Sequence, residues 1–227
     1  MFPADQRGLE YITADGEVDI DDSLAYSFAM RKTLEDAKAM IPLAELKATK
    51  THYTQAFWAG NLGMLVIGGW FPGQMRNGSK DGSLQGFTWN DWSLTRMPCN
   101  EAEYVTVGAP TGNVIHIDST KKEAAFKFLS WMSGPEGAVE VAKNGFMPAM
   151  FTPEVQEVFA TVLPDETALK YYTEPKTNKI ARFNAYGSKV EAATATMMEE
   201  YLMGAIAPDQ VEAVATERFE EIVNMTD

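Results

Sequence analysis

The sequence predicts an α/β fold. Leu62, Met64, Leu65, Val66 and Ile67 form a short apolar run stopped by Gly68-Gly69, with the length and composition of a buried strand. Val105 and Val107 alternate up to Gly108-Ala-Pro-Thr-Gly112, and Val114, Ile115 and Ile117 then read as a further strand, with His116 on its opposite face. Capped, amphipathic helical segments run between and after these stretches.

Length and charge narrow the class. A chain of 227 residues can bury one large core or two small lobes, and 45% hydrophobic with 22% charged residues is the balance of an ordinary globular protein. Nineteen basic residues against 32 acidic ones leave a net charge of −13, which repels nucleic acid and anionic lipid, so no nucleic-acid partner is expected. Cys99 stands alone and can form no internal disulfide. Met1 is followed by Phe2-Pro3-Ala4-Asp5, neither a basic n-region nor an apolar h-region, so no signal peptide is expected. No stretch approaches the roughly 18 apolar residues of a membrane span.

Along the chain, Asp15 to Asp22 form an acidic turn. It lacks a calcium loop's glycine and final glutamate, since Ile20 and Tyr26 stand at those positions, and no metal is expected. Asp21 or Asp22 is placed to cap a helix that runs to about Met40, with Leu24, Phe28 and Leu34 inward and Pro42 as its stop. A second helix is expected over residues 51–59. Thr120-Lys-Lys-Glu123 spells a capping box before a helix carrying Ala124, Phe128, Leu129 and Trp131. Pro135 opens the next helix and Asn144-Gly145 closes it, and Thr152-Pro153-Glu154 opens another. Helices over 184–203 and 208–223 finish the chain.

The stretch Phe57 to Trp70 draws most attention. Phe57, Gly60, Met64, Gly68 and Trp70 follow the spacing F-x2-G-x3-M-x3-G-x-W. It resembles the signature segment of bacterial extracellular solute-binding proteins of the sugar ABC importer type, with Asn61-Leu62-Gly63 where Lys-Ala-Ala often stands. Glu123-Ala124-Ala125 with Phe128-Leu129, Pro135-Glu136-Gly137, and Gly145 with Pro148-Ala149 are similar to the same family's later motifs, in order.

The resemblance implies a type II periplasmic-binding-protein-like fold in which residue 1 falls inside the second lobe. It gives 1–98 as second-lobe segment, 99–147 as first-lobe insertion and 148–227 as the return to the second lobe, with crossings near Met97–Thr111 and Asn144–Met150. So little of the first lobe should leave apolar surface bare, with Trp131, Phe126 and Val139 as candidates. The family's extracellular or periplasmic location, in some members membrane-anchored, is expected, with permease subunits of an importer as partners.

Trp70, after a glycine pair, can be core or a platform for a ligand. A carbohydrate site needs flat aromatic faces for sugar C–H patches and amides or guanidinium groups for the hydroxyls. Trp70 and Phe71 can supply the faces. The resemblance places Thr111, Gly112 and Asn113 at the cleft wall, together with Arg182, Asn184 and Tyr186. Catalysis is not expected: His52 and His116 are the only imidazoles, no nucleophile motif or phosphate loop is present, and Glu199-Glu200 and Glu220-Glu221 diverge on helices. No cofactor is expected. The leading reading is the substrate-binding component of a carbohydrate ABC transporter. The alternative is a ligand-free fragment that self-associates as a homo-oligomer through bare first-lobe surface, and an unrecognised hydrolase comes third.

Overall fold

The computed structural model describes residues 2–99, 104–108, 111–179 and 184–225. Its helices are α1 (Phe2–Arg7), α2 (Ser23–Asp36), α3 (Leu43–Thr49), α4 (Tyr53–Trp58), α5 (Phe71–Asp81), α6 (Lys122–Met132), α7 (Pro135–Lys143), α8 (Pro153–Ala160), α9 (Lys170–Thr173), α10 (Gly187–Leu202) and α11 (Val211–Asn224). Two strands, β1 (Val105–Gly108) and β2 (Lys176–Lys179), pair in parallel with Val105 opposite Lys176. Among the described residues this ladder is the whole of the sheet. The α/β type II expectation is therefore corrected: the chain is mostly helical.

The reason lies in two apolar runs. Leu65 and Ile67 turn into an aromatic cluster, whereas Met64 is 87% exposed and Val66 is exposed as well, so residues 62–67 are an irregular connection rather than a buried strand. The Val114–Ile117 run likewise forms no strand, and Val114 is 91% exposed. The period-2 pattern was present in the sequence, but among the described residues no neighbouring backbone takes up its hydrogen bonds.

The chain divides into two compact units. The first comprises Met1–Lys50, Cys99–Ala109 and Lys176–Asp227. Here α2, α10 and α11 bury Leu24, Phe28, Met197, Val211 and Phe219, and the side chain of Ile12 joins them. Rings pair at Phe28–Tyr201 (5.6 Å) and Tyr11–Phe219 (5.7 Å). Each fully buried Phe contributes about 1.5–3 kcal/mol through its removal from water. The acidic turn acts as the start of α2: Asp21 Oδ1 accepts from the Ser23 N–H at 2.9 Å, and Arg7 Nη1 donates to Asp21 (2.8 Å) and Asp22 (3.0 Å). Burial works against the Asp21 carboxylate, but these donors outweigh it and hold its pKa below the ordinary range.

The second unit comprises Thr51–Pro98 and Pro110–Pro175. One cluster joins α7 and α8 through Ala138, Ala142, Val155 and Phe159. The other is aromatic: Phe71, Met75 and Trp92 are buried, with Phe57 and Phe87 edge-on around them. Thr152 caps α8 as expected, its hydroxyl accepting from the Val155 N–H at 3.3 Å. The capping box at Thr120–Glu123 does not form: Lys121 occupies the cap of α6 without a side-chain bond. His52, read from the sequence as unassigned, caps α4 by accepting from the Thr54 N–H.

Candidate functional site

The second unit carries an exposed aromatic corner at Trp70. The residue is the cap of α5, with Pro72 in the first turn, and Phe71 N–H donates to Gly68 O at 3.1 Å to close the turn. Trp70 is 47% exposed. Its Nε1 donates to the Tyr53 hydroxyl at 3.1 Å, and that hydroxyl also accepts from Gln74 Nε2 at 2.9 Å. The His52 ring lies against Tyr53, centroids 4.1 Å apart. Exposed indole surface is thus bordered by an amide and a phenol, polar groups of the kind that can meet sugar hydroxyls.

The two glycines have a role the sequence reading did not assign. A Cβ on Gly68 would lie 2.2 Å from Cζ3 of Trp70 itself, so the missing side chain makes room for the indole rather than for an incoming molecule. A Cβ on Gly69 would lie 3.1 Å from Cε1 of Tyr172. Burial pushes the Tyr172 phenol well above the usual tyrosine range.

Among the described residues, no hydrogen bond or ring contact joins the other sequence-derived residues to the Trp70 ring. Phe71 is adjacent in sequence but buried, edge-on to Phe57 and Trp92 at 5.3 and 6.0 Å, with no face turned to solvent. Thr111, Gly112 and Asn113 are exposed, and a Cβ on Gly112 would meet nothing within 4 Å. Asn184 and Tyr186 belong to the first unit. Asn184 Nδ2 donates to Ile12 O at 2.8 Å while its Oδ1 accepts from the Tyr186 N–H at 3.0 Å, and Tyr186 is buried in the helical core. Arg182 lies outside the described residues, as do parts of the expected first crossing, residues 100–103 and 109–110.

Tyr53 and Gln74 were missed from sequence. Gln74 stands one turn of helix after Trp70, which places the two on neighbouring positions of one face and could have flagged it. Tyr53 gave no such signal. Two shallow clefts of about 260 Å³ lie elsewhere in the unit: one is walled by Arg76, Lys80 and Trp89, the other by Gln55, Trp58 and Gln85. Neither includes Trp70, and an open aromatic corner needs no cavity to meet a flat sugar face. Among the described residues, no group of three or more His, Cys, Asp or Glu side chains is placed to hold a metal ion.

Neither a protein-family model nor a curated protein matches the chain. Among solved structures, a sugar transporter from Rhizobium etli, crystallised in an open conformation, is similar to it: TM-score 0.71 and 25% identity, over 96% of this chain and 55% of that one. The chain therefore spans about half the length of the structure it resembles. The likeness to extracellular solute-binding proteins is corrected by this comparison: no family model matches the chain, and the similar solved structure is that of a sugar transporter. The extracellular or periplasmic location rested on that likeness and falls with it. No helix of the described residues is long and apolar enough to cross a membrane.

Proposed function

We propose that the chain serves sugar transport by binding a carbohydrate against the indole of Trp70, without catalysing a reaction, and that it does so alongside the permease subunits of an ABC importer. The observation that carries the reading is the Trp70 corner. A half-exposed indole is held in place by its own hydrogen bond to Tyr53 and flanked by Gln74, so it arrives at a ligand already oriented. Similarity to a sugar transporter over nearly the whole chain supports the substrate class. The imidazoles support the non-catalytic reading, since both are spent on local structure: His52 on the cap of α4 and His116 on the Asp118 N–H, which it accepts at 3.2 Å.

Calorimetric titration with a panel of mono- and oligosaccharides tests the proposal. Binding of at least one sugar is expected, with Trp70→Ala costing about 1–3 kcal/mol of affinity, roughly 5- to 150-fold. Failure of every sugar to bind, or unchanged affinity in Trp70→Ala, would sink it.

A further inference from the structure

The cleft walled by Arg76, Lys80 and Trp89 lies wholly within the second unit and has a volume of about 260 Å³. Its α5 side presents Arg76, Ser79 and Lys80, which stand three and four residues apart and so share one stripe of the helix. Trp89, Thr161 and Val162 complete the cleft. Trp89 is half-buried and meets Trp92 edge-on with ring centroids 5.4 Å apart, so an aromatic surface is held beside two cations.

The cations are the anomaly. Arg7, Arg31 and Arg218 each pair with a carboxylate, as a chain of net charge −13 makes easy. Arg76 is half-buried, yet its guanidinium donates to a backbone carbonyl, from Nη1 to Lys143 O, and among the described residues neither it nor Lys80 forms an ion pair. The Nε–Nη2 edge of Arg76, whose fork matches two oxygens of a carboxylate or phosphate, is left without a protein acceptor among the described residues. The carboxylates of the neighbouring segments do not fill the gap. Asp81 accepts from the Ser83 N–H at 3.0 Å, Asp91 from the Thr88 N–H and hydroxyl at 2.7 Å, and Asp165 from the Ser93 and Thr167 hydroxyls. Glu140 pairs with Lys143 at 2.7 Å, and Glu157, one turn before Thr161, forms no ion pair with either cation. The last carbonyls of α8, which would repel an anion, are taken as well: Val158 O accepts from the Thr161 hydroxyl at 2.8 Å, Phe159 O from the Val162 N–H at 3.1 Å and Ala160 O from the Leu163 N–H at 3.3 Å.

We infer that this cleft binds a small molecule bearing an oxyanion on a ring, with the carboxylate or phosphate held by Arg76 and Lys80 and the ring laid against Trp89. The Ser79 hydroxyl, which has no partner among the described residues, supplies a further donor to the anion. A neutral ligand would cover the two cations without matching their charge, and a cationic one would be repelled by them. The site stands independently of sugar binding at Trp70, which lines no part of this cleft.

Titration calorimetry with D-glucuronate, D-glucose 6-phosphate, inorganic phosphate and D-glucose tests the site, each probe against the wild type and against Trp70→Ala. At least one of the two sugar anions should bind, with equal affinity for both chains, and the tighter of them identifies carboxylate or phosphate as the preferred group. Inorganic phosphate, which has no ring for Trp89, should bind about fivefold more weakly. Glucose should not bind the Trp70→Ala chain. Arg76→Gln should weaken the sugar anion by about tenfold or more. Because that change also removes the bond to Lys143 O, Lys80→Gln is the second variant: it breaks no bond within the chain, should leave the melting temperature unchanged, and should weaken binding by about two- to fivefold. Failure of both sugar anions to bind, inorganic phosphate bound as tightly as they are, glucose bound as tightly by Trp70→Ala, or anion affinity indifferent to both variants overturns the inference.

Discussion

Replacing Gly68 by alanine should displace the Trp70 indole, and the size of the effect can be worked from the contacts. The new methyl would lie 2.2 Å from Cζ3, 2.4 Å from Cη2 and 2.6 Å from Cε3, far inside van der Waals distance, so the ring must move. Gly68 is not in the left-handed region, so the backbone itself accepts alanine. A half-covered indole keeps on the order of 100 Å² from water, which at about 25 cal/mol per Å² is at most about 2.5 kcal/mol. The hydrogen bond from Nε1 to Tyr53 adds about 1 kcal/mol. Losing part of both predicts a cost of about 1–3 kcal/mol, or a fall of roughly 2–12 °C in melting temperature. Urea unfolding followed by circular dichroism would measure it in the wild-type and Trp70→Ala backgrounds. With the indole gone, Gly68→Ala should cost less than about 0.5 kcal/mol. An equal cost in both backgrounds would show that the strain lies in the turn and not in the ring, and the account of the glycine pair would be wrong.

Two further outcomes follow from the second unit. Phe159 is fully buried and meets Phe151 and Tyr172 edge-on at 5.6 and 5.1 Å, so Phe159→Ala should cost about 3–5 kcal/mol in urea unfolding, and a loss below about 1 kcal/mol would deny that this cluster is a core. Burial raises the Tyr172 phenol above its usual value of about 10, so the unfolded chain releases that proton first; stability is intact below about pH 10 and is lost as pH rises beyond it. The fall in melting temperature between pH 9 and 11 should be smaller in Tyr172→Phe than in the wild type, and an identical fall would refute the assignment.

Helices with strong punctuation were legible in the sequence. The Thr152-Pro153 start of α8, the Pro135 start and Gly145 end of α7, and the terminal pair α10 and α11 all stand close to where their caps and periodicity place them. These signals are local, and the residues that make them also satisfy them. Of the strands, the Val105–Gly108 alternation was legible and the other runs misled, because an apolar run becomes a strand only when another backbone pairs with it. Residues 105–108 found β2 and did so, whereas residues 62–67 and 114–117 found none among the described residues. The sequence left Trp70 open between core and platform, and it did not show the reason for its glycines. The space at Gly68 is filled by a ring two residues away, a contact that depends on the fold of the turn and leaves no mark in the local pattern. Trp131 and Phe126 were foreseeable as bare surface, while Val139 packs partly against the cluster of α7 and α8.

The first unit is assembled from three separated pieces of chain, and its parallel pair joins Val105 to Lys176. During synthesis, Leu24 and Phe28 of α2 emerge long before α10 and α11, which supply Met197, Val211 and Phe219 to cover them. At about 5–20 residues per second the wait is on the order of ten seconds. Closing so long a loop is also slow for a refolding chain. Throughout that interval the apolar stripe of α2 lacks the α10 and α11 side chains that cover it, so production of the protein should depend on holdase chaperones and on low temperature far more than its final stability would suggest.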